Sequence, residues 1–274
     1  MTVAAVDRSI AITELLASQS EPIELSELAS LVAMPVSAVH RTLSTLMACG
    51  WVVQDADSQR YSLSLRMAQL AFRNLDARFT PDVAHAVLRR LAAKSQEYCR
   101  LAVVEENRLV WISRAQGARH GLRYDPDMGG ELVLHATANG KVWLASLPEA
   151  EALRIAFAEG FGQRKDMGPN YVTDVDEFRR HLERARAQGY ATAVDEAEHG
   201  TTAIAVPFHN HDGPHAAIAG TISIAGPTLR IRPARYAELS RELHLAAAEI
   251  SAIWPLRIRQ RDFTMRNPAA EAAL

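Results

Sequence analysis

Ser37, His40, Arg41 and Thr45 crowd into one short stretch, and their side chains suit the edges of base pairs. Hydroxyls and an imidazole donate and accept single hydrogen bonds, while a guanidinium can grip the two acceptors of a guanine at once. Ala38 belongs to the same outward set. Arg60, further along, is placed to reach a phosphate or the minor groove, and Arg8 to clamp a phosphate from the other end of the segment.

These side chains need a scaffold, and the flanking pattern supplies one. Ile10, Ile12, Leu15 and Leu16 predict a helix over Asp7–Ser18 with one apolar face for the core. Leu25, Leu28, Leu31 and Val32 do the same for Glu24–Val32. Ala33-Met34-Pro35 then forces a tight turn, because proline disfavours helical geometry in the residue before it and suits a first helical turn. Val39, Leu43, Leu46 and Met47 repeat at helical spacing over Val36–Cys49, leaving Ser37, Ala38, His40, Arg41, Ser44 and Thr45 outside. Gly50 ends that helix, and Trp51–Val53 and Tyr61–Leu63 read as strands around a polar tip. The sum is a winged helix-turn-helix over residues 1–62. Its third helix would enter a major groove, and its N-terminal N–H groups would face a phosphate.

Charge argues for more than one copy on the duplex. Residues 1–62 hold three cations, Arg8, Arg41 and Arg60, against seven carboxylates. Phosphate neutralisation by a single module is therefore weak. The same three-helix unit also serves in proteins that bind only protein, so a non-DNA interaction module is one alternative.

Composition narrows the remaining classes. Across 274 residues, 48% are hydrophobic and 23% charged, and the net charge of −2 disfavours a general polyanion or membrane-surface binder. Two cysteines, Cys49 and Cys99, make neither a disulfide framework nor a zinc motif; with no signal peptide or bilayer-length apolar run, a reducing cytoplasm is expected. No phosphate loop, dinucleotide fingerprint, nucleophile elbow or zinc-protease motif occurs, and Asp195, Glu196 and Glu198 have no nucleophile to work with. Neither an enzyme nor a bound cofactor is expected. His209, His211 and His215, with Asp212 between them and His199 nearby, offer a metal-responsive alternative. Asn210, Gly213 and Pro214 make a solvent-exposed hairpin turn the better reading, so no metal site is assigned.

Beyond the wing, Leu65, Ala68, Leu70, Ala71, Phe72 and Leu75 make residues 63–79 a linker helix, apolar more than halfway round and suited to a partner helix. Thr80-Pro81 breaks it. Residues 80–258 alternate between hairpins and helices. Strands are expected at Tyr98–Val104, Leu109–Arg114, Tyr190–Val194, Thr202–Phe208 and Ala216–Ala225. Helices are expected at Asp82–Gln96, Ala136–Ala145, Glu149–Ala158, Asp174–Gln188 and Pro233–Trp254. That grouping implies an antiparallel sheet in an α+β domain. Residues 259–274 form a tail, Ala-rich and frayed from Asn267 to Leu274.

In order and spacing, several segments together resemble the IclR family of bacterial transcriptional regulators. They are Ala5–Ile12, Leu25–Ala29, Pro35–Leu43, Leu134–Lys141, Gly189–Ala191, Ile204–Pro207 and Ile222–Pro227. The resemblance implies a homodimer or dimer of dimers on palindromic double-stranded operator DNA. It also implies a GAF-like second domain that binds a small-molecule effector, often a carboxylate, and changes operator affinity allosterically. Effector positions carry over to Gly129, His135, Ala136, Thr137, Ala193, Ala203, Ser223 and Ala225. Relatives that bind small keto acids have an acidic residue where this chain has Ala193, and often a cysteine at Ala203 and a serine at Ala225. Three methyls in their place predict a wider, drier pocket for a bulkier effector such as an aromatic acid. The N-terminus of the helix expected over Ala136–Ala145, just after the Gly129-Gly130 bend, would hold an anionic oxygen.

Overall fold

A computed structural model describes residues 3–78, 81–126, 132–210 and 217–254. Two compact units divide the chain after Ala77.

In the first unit, α1 (Ala4–Ser18), α2 (Leu25–Leu31) and α3 (Val36–Ala48) surround a core of Ile12, Leu16, Leu28, Val39 and Leu43. The wing is the antiparallel pair β1 (Val52–Gln54) and β2 (Tyr61–Leu63), which closes on that core through Val52 and Tyr61. Ile23 extends the wing by exchanging backbone hydrogen bonds with Tyr61, 3.0 and 2.8 Å long. That bridge has no signature in the sequence, since a single residue shows no alternation. The turn between α2 and α3 runs through Ala33 at φ 52°, a left-handed conformation that costs any residue with a Cβ roughly 1 kcal/mol.

Two apolar faces of this unit lie open. Ile10, expected in the core, is instead 51% exposed beside exposed Val6, because it lies about half a turn round the helix from buried Ile12. On α4 (Arg66–Arg78), Leu70 and Phe72 are exposed. Ala5, Val6, Ile10, Leu46, Trp51 and Met67 together line a shallow apolar groove in this unit.

The second unit is built on a five-stranded antiparallel sheet of order β4-β3-β7-β6-β5. Its strands are β3 (Tyr98–Glu105), β4 (Arg108–Gln116), β5 (Ala191–Val194), β6 (Thr201–His209) and β7 (Ile218–Pro227). Numbered within the domain the order is 2-1-5-4-3, the GAF-like arrangement expected. On one face, α5 (Pro81–Ser95) and α9 (Pro233–Ile253) bury Leu88, Leu91, Leu239, Leu243 and Ile250 against Leu101, Ile204, Ile222 and Ile224. On the other lie α6 (Ala138–Leu144), α7 (Glu149–Ala158) and α8 (Val175–Gln188), packed on Ala102, Ala191, Ala193 and Ala205. Alternating strand residues feed the two layers, as period-two patterning requires.

Local signals set the helix ends. The Asp174 carboxylate accepts from the Glu177 N–H at 2.8 Å to start α8, and Gly189, at φ 77°, ends it. Gly140 lets α6 lie against the backbone of Leu134, where a Cβ would sit 2.1 Å from the carbonyl oxygen. Glu97, buried at the start of β3, receives two 2.7 Å bonds from Arg230 and so ties the segment after β7 to the sheet. Among the described residues, no helix is long and apolar enough to cross a membrane.

Candidate nucleic-acid face and effector cavity

Helix α3 exposes Ser37, His40, Arg41, Ser44 and Thr45, while Val39 and Leu43 turn into the core. Ala38 departs from the expected set. It is only 9% exposed, because it follows the buried stripe rather than the outer face, and its carbonyl accepts the Thr42 hydroxyl at 3.0 Å. The Ser44 and Thr45 hydroxyls donate back to the carbonyls of His40 and Arg41, at 2.9 and 3.1 Å. Their protons are thus committed, and their oxygens present lone pairs outward as acceptors. Arg41, His40 and Ser37 are left as this face's donors. Arg8 is exposed on α1, and Arg60 lies 2.9 Å from Glu24, with both side chains about half exposed.

The second unit holds a cavity of about 60 Å³ between the sheet and the N-terminal end of α6. Strand register lays out its floor. Ala193, Ala203 and Ala225 are directly opposite one another across β5, β6 and β7, forming a row of methyls. In a parallel row, Ser223 faces Arg100 across the β3–β7 ladder. Thr137 and Asn139 come from α6, and Trp111, Tyr124 and Glu198 complete the polar and aromatic wall.

Five of the expected effector positions therefore converge: Thr137, Ala193, Ala203, Ser223 and Ala225. Gly129 lies outside the described residues. His135 and Ala136 are buried away from the cavity. A turn closed on the Val133 carbonyl swings the His135 imidazole into a ring cluster with Phe161, Tyr171 and Phe178. There its Nε2 lies 2.6 Å from the Tyr171 hydroxyl.

The helix N-terminus also differs from expectation. Helix α6 begins at Ala138 rather than Ala136, capped by Thr137, whose Oγ1 accepts from the Gly140 N–H at 3.1 Å and donates to the Val133 carbonyl at 2.9 Å. The cap takes up the Gly140 N–H, one of the groups expected to face an anion.

Arg100, Trp111 and Tyr124, none of them expected at the site, line the same cavity as the three methyls. Arg100 is 8% exposed, with its guanidinium 4.5 Å from the Trp111 ring centre and 5.2 Å from that of Tyr98. Such stacking orients the guanidinium plane. A signal for it was available: Arg100 interrupts an otherwise apolar strand, Tyr98–Val104, where a charge is rare without a purpose.

Tyr124 and the Glu198 carboxylate both line the cavity. Burial, then that carboxylate, push the phenol's pKa well above its ordinary value, so the hydroxyl keeps its proton.

Beneath α6, on its other side, Lys141 is 1% exposed and has all three N–H groups placed: on Glu196 Oε1 at 2.5 Å, the Thr192 carbonyl at 2.9 Å and His181 Nδ1 at 3.1 Å. Desolvation lowers the ammonium's pKa and raises that of the Glu196 carboxylate, each opposed by the attraction between them. Asn139 on the same helix donates to Thr221 Oγ1 at 2.9 Å, which pins α6 to β7. The segment between β5 and β6 is consequently held at Glu196 and delivers Glu198 to the cavity.

As for metal, His211 and His215 lie outside the described residues, and His199 is exposed beside Asp195. No cluster able to hold a metal occurs among the described residues.

A winged helix with an open third helix, followed by a GAF-like domain around a small cavity, has the layout of a two-domain transcription regulator. Comparison with known proteins gives the family: residues 5–56 match the IclR helix-turn-helix domain, and residues 74–252 match the bacterial transcriptional regulator IclR C-terminal domain. The chain belongs to the IclR family of transcriptional regulators. It is 32% identical over 254 residues to the HTH-type transcriptional regulator KdgR of Escherichia coli (strain K12), covering 92% of each chain. The solved structure of an IclR transcriptional regulator from Alicyclobacillus acidocaldarius matches with a TM-score of 0.76 and 27% identity, over 92% of this chain and 99% of that one. An IclR homologue from Microbacterium hydrocarbonoxydans, solved with 4-hydroxybenzoate, shares the fold at 23% identity and a TM-score of 0.74, over 90% and 98% of the two chains.

Proposed function

We propose that this chain is a cytoplasmic regulator whose affinity for double-stranded operator DNA is set by a small carboxylate held in the cavity beneath α6, with no catalytic activity of its own. The reading assigns DNA binding to residues 1–62, pairing of chains to 63–79 and effector sensing to 80–258. The convergence of Thr137, Ser223 and the Ala193–Ala203–Ala225 row on one small, largely apolar cavity of the second domain carries it, since such a concave site with a few polar groups suits a small organic ligand.

On DNA, Arg41 and His40 contact base edges while Ser37 and Thr45 accept or bridge, with Arg8 and Arg60 on phosphates. A homodimer or dimer of dimers supplies the second copy that an acidic module needs, because linked sites raise the effective concentration of each other. The exposed apolar residues of α1 and α4 support pairing. Ligand in the cavity touches Thr137 and Asn139 of α6, so occupancy biases the placement of that helix and, through the domain, the spacing of paired α3 helices. Coupling of this kind typically changes affinity by about 5- to 150-fold. That a homologue of the same fold was solved with 4-hydroxybenzoate supports an organic acid as the class.

The test is fluorescence anisotropy on duplex DNA from upstream of the protein's own coding sequence, at two salt concentrations, with and without a panel of small carboxylic acids. Selective, salt-sensitive binding that at least one acid shifts is expected, and Arg41→Ala should weaken it about tenfold or more in a folded protein. Wild-type protein with no selective DNA binding, or an Arg41→Ala variant that binds unchanged, refutes the DNA assignment.

A further inference from the structure

A second recess, of about 470 Å³, opens at the β4 edge of the sheet and shares no lining residue with the cavity beneath α6. Its arginines come from three directions: Arg89 from α5, Arg114 from β4, and Arg119 and Arg123 from the segment after β4. Asp125 is the one carboxylate among the described lining residues. It lies 3.9 Å from Arg114 and 3.7 Å from Arg123, while Arg89 and Arg119 have no ion-pair partner among the described residues. On a chain of net charge −2, this is a local concentration of cations that the composition does not foretell. Concave walls focus such a field on whatever enters. Tyr98 lines the recess too, and its hydroxyl is buried with no hydrogen-bond partner.

The backbone that carries Arg119 and Arg123 is fixed. Gln116 clamps the segment from both ends: its Oε1 accepts from the Ala118 N–H at 2.9 Å, and its Nε2 donates to the Tyr124 carbonyl at 2.8 Å. Arg230 donates to the Leu122 carbonyl at 2.6 Å between them. At the segment's start, the Gly117 N–H donates to the Glu97 carbonyl at 3.0 Å. A Cβ at Gly117 would sit 2.0 Å from the Ala92 carbonyl oxygen, so the chain passes hard against the end of α5. Fixing like charges near one another costs energy that a bound anion returns, and the arginines need little ordering to meet it.

We propose that this recess is a binding site for a condensed phosphate, a diphosphate group that is either free or the tail of a nucleotide. A single carboxylate offers one planar edge and satisfies one guanidinium fork. Joined tetrahedral phosphates present oxygens in several directions, which matches arginines converging from a helix, a strand and a loop. The size is that of a small-molecule site, and a recess excludes the convex backbone of a duplex. Occupancy here is independent of the acid in the cavity beneath α6.

Titration calorimetry on the full chain at low salt tests it, with pyrophosphate, ADP, orthophosphate and sulfate as probes. Pyrophosphate should bind about tenfold or more tightly than orthophosphate or sulfate, and Arg89→Gln with Arg119→Gln should weaken it by about tenfold or more. Both arginines are exposed, so that double variant should melt as the wild type does. Arg154→Gln with Arg241→Gln, which removes as much charge from exposed positions outside the recess, should leave pyrophosphate binding unchanged. ADP at least as tight as pyrophosphate supports a nucleotide's tail as the source, and weaker ADP supports the free ion. Equal binding of all the anions, equal losses in the two double variants, or no binding of pyrophosphate and ADP overturns the proposal. So does a recess variant that loses affinity for duplex DNA while holding pyrophosphate as before.

Discussion

His181 Nδ1 accepts a hydrogen bond from the buried ammonium of Lys141 at 3.1 Å, which fixes the imidazole as neutral with its proton on Nε2. Protonating that ring places a second positive charge against the first. Burial, then Lys141, pull the His181 pKa down to about 4 from an ordinary value of 6.5. The unfolded chain therefore takes up the proton first as pH falls. The stabilisation is fully present above about 6.5 and is lost between there and about 4, by roughly 2–3 kcal/mol. Urea unfolding at stepped pH should show this slope, and His181→Asn should flatten it. An identical slope in the variant removes His181 as its source.

The Lys141–Glu196 pair makes a separate prediction. Lys141→Met leaves the Glu196 carboxylate buried without its cation and should cost about 3–5 kcal/mol. Lys141→Met combined with Glu196→Leu removes both charges and should be less destabilised than Lys141→Met alone. Denaturation midpoints compare the two, and a double variant at least as unstable as the single one contradicts the account.

Ala33 sits at φ 52° in the turn between α2 and α3. Ala33→Gly should stabilise the first unit by up to about 1 kcal/mol, whereas Ala33→Val should destabilise it by more than that, because a β-branched residue tolerates this region worst. Thermal melts of both variants test the pair of signs.

Arg60 is held by Glu24 on the surface, and an exposed pair of this kind contributes only about 0–1 kcal/mol. Breaking it to reach a phosphate therefore costs little. Glu24→Gln should leave stability nearly unchanged and raise DNA affinity a few-fold at low salt, an effect that fades as salt rises. Equal affinities at every salt concentration argue that Arg60 does not contact the duplex.

The first unit was readable where one face of one helix decides the outcome. Val39 and Leu43 repeat at helical spacing and reach the core, and proline after Met34 marks the start of α3. Ile10 misled because an exposed apolar residue on a helix looks, in sequence, like a core residue. In the second unit the strands and their hairpin grouping followed from alternation and turn residues. The cavity was harder to read, because it depends on which rows of three strands coincide. Ala193, Ala203 and Ala225 came by resemblance and do share a row. His135 came the same way and points elsewhere, because one turn's backbone bonding reverses it. Arg100, Trp111 and Tyr124 lie far from the motif-bearing segments, and only the register of β3 against β7 and β4 brings the first two to the same place.

Glu196 and Glu198 are two residues apart, one locked under a helix and the other open at the mouth of the cavity. Structural duty thereby falls on one side chain of this short span and not on the other. Position 198 can change its chemistry without disturbing the architecture, so the mouth of the cavity is open to alteration by single substitutions while the scaffold stays intact.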